Sequence, residues 1–161
     1  MELDQYYRDV LKPRYEKNIE VARKVFGLDV VGYAYVSYDD GCSMILEPGA
    51  YDWVREQYLS PVYVDSATER ATPRRKVLGR DVDAMEEVPD YFGNIQDAWL
   101  IIRKFVDQDK WDFKLVCDDG DEWFCHLGGS DRCIGKGKTV EEAICNAALN
   151  CVNQRETNIA L

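Results

Sequence analysis

The sequence predicts an α+β protein, with a central, mainly antiparallel sheet and helices packed on it in an α/β/α-type sandwich. Three observations carry this expectation. Segments with apolar residues at helical spacing alternate with short segments whose apolar residues recur at every second position. The strand-like segments come in pairs joined by tight-turn residues, which makes them antiparallel. Helices separated by such hairpins belong to layered α+β folds. With 161 residues, 46% of them hydrophobic, and 10 Tyr, 4 Trp and 5 Phe, the chain is long enough to bury a real core. One domain over 1–161 is the expectation.

Residues 3–26 read as a helix. Ile19, Ala22, Val25 and Phe26 follow three-four spacing and Gly27 is a natural stop, while Pro13 is expected to break or kink the helix near its middle. "DVVGYAYVSYDDGCSMIL" reads as two strands joined by "DDG". "PGAYDWVREQY" reads as a short helix with Pro48 near its start. Residues 65–88 show no sustained period and read as an irregular basic loop, with a short strand near Lys76–Leu78. Asn94 is placed to cap a helix over 95–107, with Asp97 three residues on. Its expected apolar face is Ile95, Ala98, Trp99, Ile102, Phe105 and Val106. "WDFKLVC-DDGD-EWFCHL" reads as a hairpin with Asp119-Gly120 in a type I′ turn, and "RCI" as a third strand. Thr139 and Glu142 form a T-x-x-E capping box. Behind it Val140, Ala143, Ile144, Ala147, Ala148 and Cys151 make a helix face of small residues suited to close packing on a sheet. "RETNIAL" reads as a loose tail.

The net charge is −10. Such a surface repels nucleic acid unless its cations are gathered locally, and it also has the sign needed to imitate nucleic acid. The longest apolar runs fall far short of the roughly 20 residues that span a bilayer. The opening "MELDQYYRDV" has no signal-peptide pattern. These features point to the cytoplasm. There the six cysteines, Cys42, Cys117, Cys125, Cys133, Cys145 and Cys151, are expected as reduced, mostly buried thiols. Cys117, Cys125, His126 and Cys133 lack the paired spacing of a zinc site, so no metal is expected.

Three stretches together resemble a known family. They are "NIEVARKVFGLDVVGYAYV", then "VPDYFGNIQDAWLIIRKF" with Pro89, Asp90, Tyr91, Asn94, Ala98 and Trp99, then "EWFCHLGG" followed by "GKTVEEAICNAALNCV" with Glu142, Ala143, Ile144, Cys145, Ala147, Ala148 and Leu149. The chain resembles the phage ABA-sandwich domain family and the related NinX-like accessory proteins of tailed phages, over about 16–36 and 88–152. The resemblance implies a central antiparallel sheet closed by a helix, a phage origin and residence in the cytoplasm of the infected bacterial host. It supplies no catalytic residues. The chain departs from the pattern in its long 39–87 insertion.

Two basic segments are candidates for binding. "RCIGKGKT" ends like a phosphate-binding P-loop, but Arg132 stands where the first glycine belongs and only 22 residues follow Thr139. That leaves no room for the further β-α units of a nucleotide hydrolase. A looser anion site remains, formed by Lys136, Lys138 and Arg132 before a helix N-terminus, with "HLGG" and "GKG" as loops able to form anion nests. The alternative is a glycine turn with solvated lysines. "ERATPRRKVLGR" gathers Arg70, Arg74, Arg75, Lys76 and Arg80, whose guanidinium forks suit phosphate. The alternative is a charged loop balanced by the acids after it. Tyr33 and Trp53, among other aromatics before this segment, are candidates to stack a base, the alternative being core residues. His126 is the only histidine; it reads as a structural or surface residue, on one strand face with Glu122 and Phe124, and no catalytic residue is expected.

The functional expectation is a non-enzymatic, phage-encoded accessory protein needing no cofactor. In its sharpest form it is a counter-defence protein that sequesters a small anionic, cyclic-nucleotide-like signal, with a homo-oligomer completing the pocket. The alternative is an acidic nucleic-acid mimic that inhibits a host nuclease or guide-directed defence complex.

Overall fold

The computed structural model describes residues 3–34, 47–53, 56–65, 75–77, 80–82, 84–129 and 133–159. The chain is mixed α+β with antiparallel sheets, as expected, and divides into two compact units: Met1–Arg23 with Gly27–Val88, and Lys24–Phe26 with Pro89–Leu161.

The first unit opens with helix α1 (3–24), continuous through Leu3–Tyr6, a wide π-type stretch Tyr7–Leu11, and Lys12–Lys24. Pro13 therefore does not break it. The wide turn lies directly before the proline, where the N–H of Lys12 reaches back to Tyr7 O. That turn relieves the clash a proline ring makes with the carbonyl four residues earlier. The unit's sheet has the order β1-β4-β7, all antiparallel, from β1 (Asp29–Ala34), β4 (Ser60–Asp65) and β7 (Ala84–Glu87). Its central strand β4 carries Val62 and Val64 into the core, both buried.

Two expectations change in this unit. "PGAYDWVREQY" is a hairpin, not a helix: β2 (Tyr51–Asp52) pairs antiparallel with β3 (Gln57–Tyr58). The chain reverses through Glu56 at φ 55°, and the aromatics Tyr51 and Tyr58 lie opposite one another. Residues 65–88 are not wholly irregular either. β5 (Arg75–Val77) and β6 (Arg80–Val82) form a hairpin, and the acidic stretch after it is β7, paired to β4. The second strand of "DVVGYAYVSYDDGCSMIL" and its "DDG" turn lie outside the described residues.

The second unit has a sheet of order β10-β9-β8, from β8 (Phe113–Cys117), β9 (Trp123–Leu127) and β10 (Ile134–Gly137), with α2 (Ile95–Arg103) and α3 (Val140–Ile159). Asn94 caps α2 as expected, its Oδ1 accepting from the N–H of Gln96 at 2.8 Å and of Asp97 at 3.3 Å. The buried face of α2 is shifted, however. Ala98, Ile101, Ile102 and Phe105 are buried, while Ile95 and Trp99 are exposed. A π-type stretch, Lys104–Gln108, ends the helix and takes the last turn out of the 3.6-residue period.

The β8–β9 turn is a three-residue loop, not the two-residue type I′ turn. Asp118 N–H donates to Glu122 O at 3.0 Å, and the left-handed residue is Asp121 at φ 60°. Asp118 Oδ1 accepts from Gly120 N–H and Glu122 N–H, which fixes the turn without a left-handed glycine. The third strand is "IGKG", later than "RCI". The capping box forms: Thr139 Oγ1 accepts from Glu142 N–H at 3.2 Å, and the Glu142 carboxylate accepts from Lys138 N–H at 2.9 Å. The tail read as loose continues α3 to Ile159.

Candidate functional site

The "GKG" stretch is extended strand, not a nest-forming loop, and its glycines have a packing role. A Cβ on Gly135 would overlap the backbone of Ala143 and Ala147 in α3, and one on Gly137 would press on Glu142 and Ala143. The fully buried Ala143, Ala147 and Ala148 complete this close approach. Asn146 and Asn150 tie the helix to the strand, each side-chain amide donating at 2.7 Å to the carbonyls of Lys136 and Ile134. On the opposite face of the sheet Lys136 binds the Glu122 carboxylate at 2.7 Å and sits over the Phe124 ring at 5.9 Å. That hydrogen bond, with the Glu122 charge, raises the lysine pKa above its ordinary value. Lys138 is exposed at the mouth of the capping box. Arg132 lies outside the described residues.

The other cations belong to the first unit. Arg70 and Arg74 lie outside the described residues. Arg75, Lys76 and Arg80 fall on the β5–β6 hairpin. Its register sets Arg75 opposite Val82, Lys76 opposite Asp81 and Val77 opposite Arg80. By strand alternation Arg75 and Arg80 occupy positions of one face, while Lys76 shares the other with an acid.

The two aromatic candidates of this unit separate. Tyr33 is a core residue: its ring is buried and packs on Tyr15 with centroids 6.2 Å apart. Burial, with the nearby Tyr7 and Glu16, pushes its phenol up to about 12. Among the described residues of the unit, Trp53 is the most exposed large apolar side chain, at 75%. It is also mounted. Its ring meets Tyr51 edge-on at 4.7 Å, Tyr51 meets Tyr58 edge-on at 4.9 Å, and Tyr58 packs on Tyr7 at 4.7 Å. Tyr7, Leu11 and Tyr58 form a buried cluster beneath, so the chain of rings anchors an open indole in the core.

Among the described residues the free thiols are Cys117, which is exposed, and Cys125 and Cys145, which are buried. Cys125 is fully buried, which pushes its thiol up to about 12. Cys145 is likewise buried, its thiol raised by desolvation and then by Asp90, and its Sγ donates to Tyr91 O. His126 is half-buried on the β9 face it shares with Phe124, opposite Lys114 and Ile134. Cys133 and Cys151 correct the expectation that all thiols are reduced. They form a disulfide with Cα atoms 4.9 Å apart, joining the entry of β10 to α3. Sequence spacing gave no hint of this, because 18 residues separate them and only the antiparallel return of α3 on β10 brings them together.

The sequence also gave no warning of a groove of about 280 Å³ on the outer face of α2, lined by Ile95, Gln96, Trp99, Leu100 and Arg103. The signal lay in the helix itself. Ile95 and Trp99 stay open beside the buried Ala98, Ile101, Ile102 and Phe105, an apolar arc wider than its packing partners cover.

Residues 19–149 match the phage ABA sandwich domain. The chain belongs to this family. A phage ABA sandwich protein is what the capped α2, the antiparallel sheet and the small-residue face of α3 together describe, and membership confirms the resemblance drawn from those stretches. Neither a curated protein nor a solved structure matches the chain at a significant level. Among the described residues of this family member, no helix is long and apolar enough to cross a membrane, and no group of three or more His, Cys, Asp or Glu is placed to hold a metal ion.

Proposed function

We propose that this phage protein is a non-enzymatic accessory protein that binds and sequesters a small anionic, nucleotide-like ligand as a counter-defence. The observation that carries the reading is the mounted, open Trp53 in the same unit as the arginine hairpin. A base stacks on an exposed indole, and a guanidinium fork grips phosphate in two parallel bonds. Arg75 and Arg80 are the cations for this role, with Arg70 and Arg74 preceding them in sequence. Lys136 is already engaged by Glu122 and lies in the other unit, which makes it and its neighbours Arg132 and Lys138 the weaker candidates. The buried, protonated thiols of Cys125 and Cys145 and the half-buried single histidine fit a binding role rather than covalent chemistry.

A thermal-shift panel of cyclic dinucleotides, cyclic trinucleotides and ADP-ribose derivatives tests this. A ligand at 100 times its Kd adds about 2.7 kcal/mol to stability, a rise that Trp53→Ala and the double variant Arg75→Glu/Arg80→Glu should each abolish. A flat panel sinks the reading.

A second reading keeps one observation. The β8–β9 turn displays Asp118, Asp119 and Asp121 together, all exposed. They give a local negative cluster of the kind an inhibitor that mimics nucleic acid would present to a basic host protein. Salt-sensitive capture of such a protein, lost when these aspartates are replaced by asparagine, favours it.

A further inference from the structure

We propose that two copies of this chain pair through β8, strand against strand in antiparallel, with Val116 on the two-fold axis. Among the described residues β8 is hydrogen-bonded to β9 alone. Asp118 N–H donates to Glu122 O, Gly128 N–H donates to Asp112 O, and the register between them is continuous. Antiparallel pairs alternate between bonded and non-bonded. The even-numbered residues of β8 therefore exchange their bonds with β9. Phe113, Leu115 and Cys117 turn N–H and C=O to the open edge. Natural edges are blunted by proline, bulges or covering elements; β8 has neither proline nor bulge, and Phe113, Val116 and Cys117 are exposed along it.

Charge selects the second copy and the register. Three registers let the outward groups of both strands meet near the axis. Leu115 opposite Leu115 sets Asp112 against Asp118 of the second copy, twice over. Leu115 opposite Cys117 sets Lys114 against Asp118 of the second copy, twice over, and Val116 against Val116. Leu115 opposite Phe113 sets Lys114 against Lys114 on the axis. Like charges directly opposite destabilise a sheet and unlike charges stabilise it, so the second register holds. In it the Lys114–Asp118 and Val116–Val116 pairs occupy non-bonded positions, where side chains come closest. The strand is thus complementary to its own antiparallel image: a cation at one end, an anion at the other, apolar residues between. On the other face Trp99 meets Phe113 edge-on at 5.5 Å and links the strand to the exposed Ile95 and Leu100. That apolar helix face adds to the strand's own area toward the roughly 800 Å² per partner of a standard interface.

Sedimentation of the full chain tests the pairing. The expected parent is a dimer. Cys117→Pro removes an edge N–H that β9 does not use, and Lys114→Glu turns two attractions into repulsions; each should weaken dimerisation roughly tenfold or more with secondary structure retained. In a Cys117→Ser background, Val116→Cys should cross-link into a covalent dimer with diamide as oxidant, and Leu115→Cys should not. A monomer at all concentrations overturns the proposal. So does a dimer indifferent to Lys114→Glu, or one that cross-links through 115 and not 116.

Discussion

The chain carries two segments in which glycine and basic residues mingle, "IGKGK" and "RRKVLGR", and the structure uses them differently. In the first, Gly135 and Gly137 are spent on helix packing, and Lys136 has its own carboxylate. In the second, a hairpin sets two arginines at positions of one face and its lysine opposite an acid, in the unit that also presents Trp53. A glycine-lysine run resembles a phosphate cradle in sequence because both uses need a backbone without a Cβ. Only the neighbours decide whether an anion or a helix fills the space.

The sharpest way to break this contrast is Gly135→Ala. If the glycine serves packing, the added methyl meets backbone that has no flexible end to give way. Urea denaturation should then show a loss of about 3 kcal/mol, at the top of the usual overpacking range. A loop glycine would give little change. The disulfide bears on the same corner of the second unit. Reduction, or the Cys133→Ser/Cys151→Ser pair, should cost about 3 kcal/mol from a closed loop of this length, read as a lower Tm in reducing buffer. Asn94→Ala, at the start of α2, should cost about 1 kcal/mol by leaving the Gln96 and Asp97 amides uncapped.

A pH experiment sharpens the other side. Tyr33 is ordinarily an acid of pKa 10.0, pushed up to about 12 here. The unfolded chain therefore releases this proton first, so the contribution of Tyr33 to stability is full below pH 10.0 and is lost as pH rises toward about 12. Tyr33→Phe should make the alkaline decline shallower, which chemical denaturation at a series of pH values would read. The same experiment on Trp53→Ala should leave the slope unchanged, since the open indole does not titrate. Glu122→Gln should have the smallest effect: its partner Lys136 is exposed, and such pairs contribute little to stability.

Much of the second unit was legible in sequence because its signals are local. An Asn three residues before an Asp, a T-x-x-E box and a stripe of alanines each act through the nearest turn of helix, and all three formed. The first unit was less legible. β4 is the centre of its sheet, yet "SPVYVD" is six residues long, carries Pro61 near its start and follows an aromatic-rich stretch that read as helix. Its alternation of buried Val62, half-buried Tyr63 and buried Val64 is a period-two signal too short to stand alone. The β2–β3 hairpin was missed for a related reason. Tyr51 and Tyr58 stand seven apart, which is helical spacing, and only the cross-strand pair shows them to be opposite rather than stacked two turns apart. The candidate site divided along the same line. The cations were visible by charge alone, whereas Tyr33 and Trp53 looked alike until burial separated them.

The most direct measurement is isothermal titration of whichever panel ligand stabilises the parent, carried out on two charge-reversal variants side by side. Arg75→Glu/Arg80→Glu should abolish binding, and Lys136→Glu/Lys138→Glu should leave the affinity within about threefold, a difference of roughly 0.65 kcal/mol. Binding that survives the first variant and disappears in the second would contradict the account.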